Sequence, residues 1–158
     1  MKLSDKGKKF LIDQEGLKLK VYLDTAGLPT VGVGHLIVPS DNLSMGDTIT
    51  NEQAMDFLED DVLEVEEAIN QWVDADLTIN MSDALISLIF NIGVGAFKKS
   101  TLLKELNLEN YKLASLEFLK WSKITDPITK QKITSSSILA RRQREKELFE
   151  TPIKIANT

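Results

Sequence analysis

Val21-Tyr22-Leu23-Asp24-Thr25-Ala26-Gly27-Leu28-Pro29-Thr30-Val31-Gly32-Val33-Gly34-His35 is the stretch whose reading decides the rest of the chain. Val21, Leu23, Val31 and Val33 alternate with period two on either side of Gly27-Leu28-Pro29. The pattern predicts an antiparallel ribbon folded back at that turn, with Asp24 and Thr30 facing each other across its loop end. Just upstream, Ser4 to Glu15 reads as a helix, because Ser4 can cap it and Phe10, Leu11 and Gln14 recur at helical intervals. Gly16 then stops it, which leaves Glu15 on the last turn, where a packed element opens to solvent.

Two carboxylates and a hydroxyl around one cleft are the minimum equipment for cleaving a glycosidic bond with water. One acid protonates the leaving oxygen, and another group serves the attacking water on the other side of the sugar. Glu15 fits the donor, since half-burial at a helix end raises a carboxyl pKa, whereas Asp24 on a polar loop stays ionised. Thr30 would help hold the water. From spacing alone a plainer reading stands level with this one: a surface acid at a helix end, an ordinary turn residue and a strand residue of good β-propensity.

The rest of the chain is helical. Thr50-Asn51-Glu52-Gln53 is a capping box, and Ala54, Phe57, Leu58, Val62, Val65, Ile69 and Trp72 keep helical intervals after it. This predicts one long helix with Asp56, Glu59, Asp60, Asp61, Glu64, Glu66 and Glu67 on its wet side, suited to connect two lobes. Asn80 can cap a second helix through Asn91 whose residues Ala84 to Phe90 are apolar nearly all round, as a buried central helix requires, and Gly93 and Gly95 end it. Shorter helices are expected at Thr101 to Leu106, Glu109 to Trp121 and Ser137 to Phe149, with a tail from Thr151 to Thr158. The fold class is α+β, mostly α, with one small sheet.

Composition narrows the chemistry. A chain of 158 residues buries roughly 70% of its unfolded surface and sustains one domain with its own core. It has no Cys, and His35 is its only His, which excludes disulfide scaffolds, thiol catalysis and multi-histidine metal sites. No cofactor is implied, and no Ser sits in a nucleophile-elbow pattern. The first residues contain no apolar signal core, and no run of eighteen apolar residues occurs, so synthesis in the cytosol without stable membrane insertion is expected. From Val21 to Phe97 there are fourteen acids and no Lys or Arg, while Lys98 to Thr158 carries thirteen bases against seven acids, so the net charge of −5 hides a dipolar molecule. Arg141, Arg142 and Arg144 invite a nucleic-acid reading, but a pI near 5.0 with no basic stripe elsewhere argues against it. His35 is read as structural, its ring bonded to an acid of the long helix, and Trp72 and Trp121 as core aromatics.

Three blocks carry a resemblance. Glu15, Asp24 and Thr30 are followed at once by Val31-Gly32-Val33-Gly34-His35-Leu36. Ala84-Leu85-Ile86-Ser87-Leu88-Ile89-Phe90-Asn91-Ile92-Gly93 precedes Ala96-Phe97-Lys98-Lys99-Ser100-Thr101-Leu102-Leu103. Leu139-Ala140-Arg141-Arg142-Gln143-Arg144-Glu145 comes before Leu148-Phe149. In this order they resemble the phage-type lysozymes of glycoside hydrolase family 24, the endolysins related to the lysozyme of T-even phages, and they span nearly the whole chain.

The resemblance implies a lysozyme-like fold: a β-containing lobe of about residues 16–50, a helical lobe of about 73–150 together with 4–15, and a connecting helix of about 51–72. It implies hydrolysis of the β-1,4 linkage between N-acetylmuramic acid and N-acetylglucosamine in peptidoglycan, usually with inversion. Glu15 would be the general acid, Asp24 the group that serves water or stabilises positive charge, and Thr30 the water partner. Leu36, Phe90 and Ser100 match positions that line the saccharide cleft, and a fourth such position falls near Ser115. It also implies a monomer that reaches the wall after a holin opens the membrane. The stretch from Ser122 to Lys132 departs from relatives with a Gly-rich turn there, so the cleft rim is expected to differ. A wall-binding module without turnover and a lytic transglycosylase are the competing readings. The intact acid pair argues against the first, and Asp24 with Thr30 favours water as acceptor against the second.

Overall fold

The computed structural model describes residues 1–153, so residues 154–158 of the expected tail lie outside the described residues. Helix α1 spans Asp5–Glu15, with Ser4 as its N-cap. The Ser4 Oγ accepts from the Gly7 N–H at 3.0 Å and donates to Asp83 Oδ2 at 2.5 Å, and the Ser4 N–H donates to Asp83 Oδ1 at 3.0 Å. One serine thereby caps a helix and satisfies a carboxylate that is 1% exposed. Gly16 ends α1 at φ 79°, a conformation that suits glycine.

The ribbon follows as β1 (Lys18–Leu23), β2 (Pro29–Gly32) and β3 (His35–Leu36), an antiparallel sheet in the order β1-β2-β3. The register corrects one expectation. Thr30 pairs with Tyr22, not Asp24, and Leu23 with Pro29, because the chain reverses about Ala26, where the Asp24 N–H donates to the Leu28 carbonyl at 2.9 Å and leaves Asp24 in the turn itself. Val21 and Val31 point inward with Ile49 and Ala54 to form a small core, while Leu23 is exposed at the strand end.

The capping box at Thr50 and Gln53 is present and starts α2, Asn51–Trp72. Its Ala54 belongs to the small core, and its Leu58, Val62, Val65 and Ile69 belong to a larger one shared with Leu11 and the next helix. That helix, α3, covers Ile79–Ile92 and is buried continuously from Ser82 to Ile89. Its N-cap is Thr78, whose hydroxyl accepts from Met81 N–H at 3.1 Å, rather than the expected Asn80. Asn80 lies inside the helix, and its side-chain amide donates to the Thr151 carbonyl at 3.0 Å. Leu85, Ile86, Leu88 and Ile89 are buried almost completely, each contributing about 1.5–3 kcal/mol relative to exposure.

Gly93 ends α3 at φ 92°, but Gly95 does not act as a second stop. It sits inside a short helix, α4 (Val94–Lys98). Helices α5 (Thr101–Asn107) and α6 (Tyr111–Glu117) follow. The latter is shorter than the pattern suggested because Glu109 takes φ 59° before it and the chain tightens to a 3-10 turn at Phe118–Lys120. A second, unexpected hairpin then forms from β4 (Lys123–Thr125) and β5 (Lys132–Thr134), so the described residues form two small sheets rather than one. Helix α7, Ser136–Glu150, closes the chain along α3.

A Cβ at Gly7 would stand within 2.7 Å of each atom of the Asp83 carboxyl group. In an open helix Gly→Ala gains about 0.5–1 kcal/mol, so the sign of this substitution is diagnostic. Gly7→Ala is expected to lower the unfolding free energy by about 1–3 kcal/mol, measured by urea denaturation; a gain would mean that Asp83 does not hold α1 by close approach.

Candidate active site

Glu15 sits where α1 gives way to the ribbon, its side chain 15% exposed. Its Oε2 meets Gly34 so closely that a Cβ at that glycine would lie 2.8 Å away, and Phe90 borders the same space. Gly34, at φ 63°, is therefore required twice, by its backbone and by the acid packed on it. The Arg141 Nη1 lies 2.8 Å from Glu15 Oε1. That oxygen is buried, and the contact is an ion pair lacking hydrogen-bond alignment. Arg141, not Arg142, is thus the arginine that meets Glu15.

Arg141 is held from behind. Its Nε donates to Glu145 Oε2 at 3.2 Å and its Nη2 to the Ser87 carbonyl at 3.0 Å, while the Ser87 hydroxyl donates to Glu145 Oε2 at 2.5 Å. Glu145 is fully buried. Its other oxygen accepts from Arg142, whose Nε reaches the Trp121 carbonyl at 2.8 Å and whose Nη2 reaches Asn91 Oδ1. Burial holds the Arg142 guanidinium below its ordinary pKa, and the Glu145 charge opposes that shift. The charges alternate along the chain from Glu15 to Arg142, so each buried ion faces an opposite one.

Asp24 is half-buried and structurally engaged. Its Oδ1 accepts from the Ala26 N–H at 2.9 Å and the Leu28 N–H at 2.8 Å, fixing the hairpin loop and leaving Oδ2 outside those bonds. Thr30 is 3% exposed, and its hydroxyl donates to the Leu28 carbonyl at 2.9 Å. Between the two acids lies Tyr22, which the sequence reading did not single out. Burial raises its hydroxyl pKa, and the charges of Glu15 and of Asp24 both add to the rise, so one phenol feels both carboxylates. No pattern in the sequence pointed to it, since the expected register put Asp24 rather than Tyr22 opposite Thr30.

A cleft of about 210 Å³ opens beside Glu15, walled by Gly34 and Leu36 from the ribbon, Asp61 and Glu64 from α2, and Phe90 and Gly93 from the end of α3. Leu36 and Phe90 thus lie together as expected. Ser100 does not join them: it caps α5, accepting from the Leu103 N–H at 3.1 Å, in a separate depression among Lys98 and Lys104. Ser115 is also elsewhere, 1% exposed, its single hydroxyl proton shared between the Lys112 carbonyl at 2.7 Å and Glu150 Oε1 at 2.8 Å. A side chain already bonded within the helical core has no hydroxyl proton left for a sugar.

A helix-end acid beside a groove, with a second carboxylate in the neighbouring hairpin loop, matches the equipment of a polysaccharide-cleaving hydrolase of the lysozyme type. The comparisons agree. The family model described as phage lysozyme matches residues 12–145. The chain is 44% identical over 151 residues to an endolysin of Acyrthosiphon pisum secondary endosymbiont phage 1, covering 96% of this chain and 99% of that protein. It is also 44% identical to an endolysin of Salmonella phage P22, covering 94% and 98% respectively. The solved endolysin from Escherichia coli O157:H7 phage FAHEc1 superposes with a TM-score of 0.87 at 35% identity, over 95% of this chain and 94% of that one. This chain belongs to the phage lysozyme family and is a glycoside hydrolase of the endolysin type.

His35 follows Gly34 and clamps the ribbon. Its Nδ1 bonds Asp61 of α2 at 2.8 Å, as the sequence suggested, and its Nε2 bonds Asp41 of the loop at 2.9 Å, with the ring stacked on Phe57 at 4.1 Å. Burial alone would lower its pKa, but the hydrogen bonds and charges of Asp61 and Asp41 outweigh it and raise the pKa above 6.5. Asp41 is lowered below 3.8, its own desolvation being outweighed by the Val38 N–H and by His35. The raised imidazole stabilises the fold fully below its unfolded pKa and loses that contribution as pH rises through the folded one; the lowered carboxylate contributes above its unfolded pKa and is lost in acid. The stability difference between wild type and His35→Gln is therefore expected to be largest between about pH 4 and 6.5, on the order of 1–3 kcal/mol, and to shrink at alkaline pH. A pH-independent difference in denaturation would contradict this.

Proposed function

We propose that this glycoside hydrolase cleaves the β-1,4 linkage between N-acetylmuramic acid and N-acetylglucosamine in bacterial peptidoglycan, with Glu15 as general acid, and thereby lyses a host cell. The observation that carries the reading is the placement of Glu15: paired with Arg141 and packed on Gly34, which together with Phe90 walls the cleft beside it. With a sugar oxygen at the cleft edge, the carboxyl group delivers its proton as the glycosidic bond breaks. Asp24, with Oδ2 outside its loop bonds, serves the incoming water, and the Thr30 hydroxyl, its own proton given to the Leu28 carbonyl, acts as water partner by accepting from it. Attack by that water on the face away from the leaving group inverts the anomeric carbon.

The two hydrophobic cores support a division into two lobes, about 16–50 and about 73–150 with 4–15, joined by α2 at 51–72. Motion about α2 would admit a polymeric strand lined by Leu36 and Phe90. Among the described residues no helix is long and apolar enough to cross a membrane. A monomer synthesised in the host cytoplasm and released to the wall by a separate membrane-opening phage protein, a holin, completes the reading.

Glu15→Gln is expected to lower release of reducing ends from purified peptidoglycan by roughly 10²–10⁴-fold. Products of the wild type should carry the mass of added water and the inverted anomer by NMR. Equal clearing by both proteins would remove the acid from its role, and an anhydro product would show a transglycosylase.

A further inference from the structure

A general acid has to keep its proton until the leaving oxygen takes it, whereas a cation beside a carboxyl group favours the ionised form. Arg141 stands beside Glu15 in this way. The groups behind the arginine decide how much of its charge the acid feels. Chief among them is Glu145, a fully buried carboxyl group that takes no part in the proton transfer itself.

The guanidinium of Arg141 is committed on its far side. Its Nε donates to Glu145 Oε2 at 3.2 Å and its Nη2 to the Ser87 carbonyl at 3.0 Å, while Glu15 Oε1 receives no aligned hydrogen bond from it. Every partner of Glu145 is a donor: Arg141, Arg142 and the Ser87 hydroxyl. That is the setting of a carboxylate ion, which has no proton to give in return. Two guanidiniums thus share one buried negative charge, and Glu15 completes the set. With Glu145 ionised, a proton on Glu15 leaves one net positive charge in the cluster. Without the Glu145 charge it would leave two, and in a site closed to water that difference moves a proton equilibrium about tenfold or more.

The other groups around Glu15 do not do this. Arg142 is itself coupled to Glu15 and adds positive charge. Tyr22 on β1 is neutral at neutral pH, its hydroxyl pushed up by burial and by both acids, and Asp24 belongs to the hairpin loop beyond it. Arg144 turns to Gln14 Oε1 at 2.9 Å, and the ribbon and α3 present Gly34 and Phe90, which carry no charge. Among the described residues, Glu15 and Glu145 are the only acids in ion-pair reach of Arg141 or Arg142.

We propose that Glu145 is a positioning residue for the proton of Glu15: it holds the charge of Arg141 against itself, so the acid keeps its proton until the sugar oxygen takes it. The inference rests on the reading of Glu15 as the general acid. Glu145 touches no substrate and acts through Arg141.

The test follows the Glu15 proton directly, by carbon NMR of the whole chain labelled at its glutamate carboxyl carbons. The signal missing from Glu15→Gln is that of Glu15, and the pH at which it moves is compared between proteins whose folding is checked by near-UV circular dichroism. In Glu145→Gln the signal is expected to move at a pH lower by about one unit or more. Glu145→Asp keeps the charge and should stay closer to wild type than to the Gln variant. Arg142→Met, which leaves Glu145 to Arg141 alone, should shift the signal to higher pH, and it decides the matter if Glu145→Gln does not fold. The alkaline limb of glycan hydrolysis should shift in the same directions, with activity of Glu145→Gln recovered in more acidic buffer. A signal that stays in place in the folded variants, or a kcat that falls equally at every pH, would show that Glu145 only supports the fold and would overturn the proposal. A wild type that releases no reducing ends would overturn the hydrolase reading, while the NMR titration still decides whether Glu145 governs the Glu15 proton.

Discussion

The buried run of alternating charges from Glu15 through Arg141 and Glu145 to Arg142 is the constraint on which the site depends. It joins the end of the first helix to the last one, across the central helix that supplies Ser87 and Asn91. Removing several ions from water costs several kcal/mol for each ion, so such a run persists only where the partners are near and their remaining valences are satisfied. Here the backbone carbonyls of Ser87 and Trp121 and the amide of Asn91 take the spare guanidinium donors. The result is a carboxyl group whose position is set by the whole helical body rather than by its own helix.

The ribbon supplies the opposite wall under a different constraint. Gly34 lets the chain approach Glu15, and His35, immediately after it, ties that approach to both the loop and α2. Loss of either would let the ribbon stand away from the acid. Asp24 and Thr30 spend much of their bonding on the hairpin loop, so the order of that loop and the placement of the second carboxylate are one property.

Local signals made much of this legible in the sequence. The helix stop at Gly16 located Glu15, the capping box marked the start of α2 and the apolar spacing its extent, and the all-round apolar run marked α3. What failed was what local patterns do not encode. The chain reverses about Ala26, one residue before the centre that an Asp24–Thr30 pairing needs, so Thr30 meets Tyr22; alternation tells which residues share a face and not where the ladder is centred. Thr78 and Asn80 are both good caps, and only the packing of Asn80 against Thr151 separates them. The partner of Glu15 lies near the far end of the chain, where an Arg-Arg pair offers two candidates and only the fold chooses. Strands β4 and β5 expose all six of their residues, so they carry no inside-outside alternation; the repeated Lys-Ile-Thr was the remaining clue. Ser100 and Ser115 were carried over by resemblance, and their hydroxyls are engaged in a helix cap and in the helical core.

The central claim is that Arg141 positions the acid, and it is tested most directly by steady-state hydrolysis of a soluble glycan by Arg141→Gln, with folding checked by near-UV circular dichroism. The account predicts a folded protein whose kcat falls at least about tenfold, as misplacement of a catalytic group does, while KM changes little because the cleft walls are untouched. A folded variant with wild-type kcat would show that Glu15 keeps its place without the buried ions, and the account would be wrong.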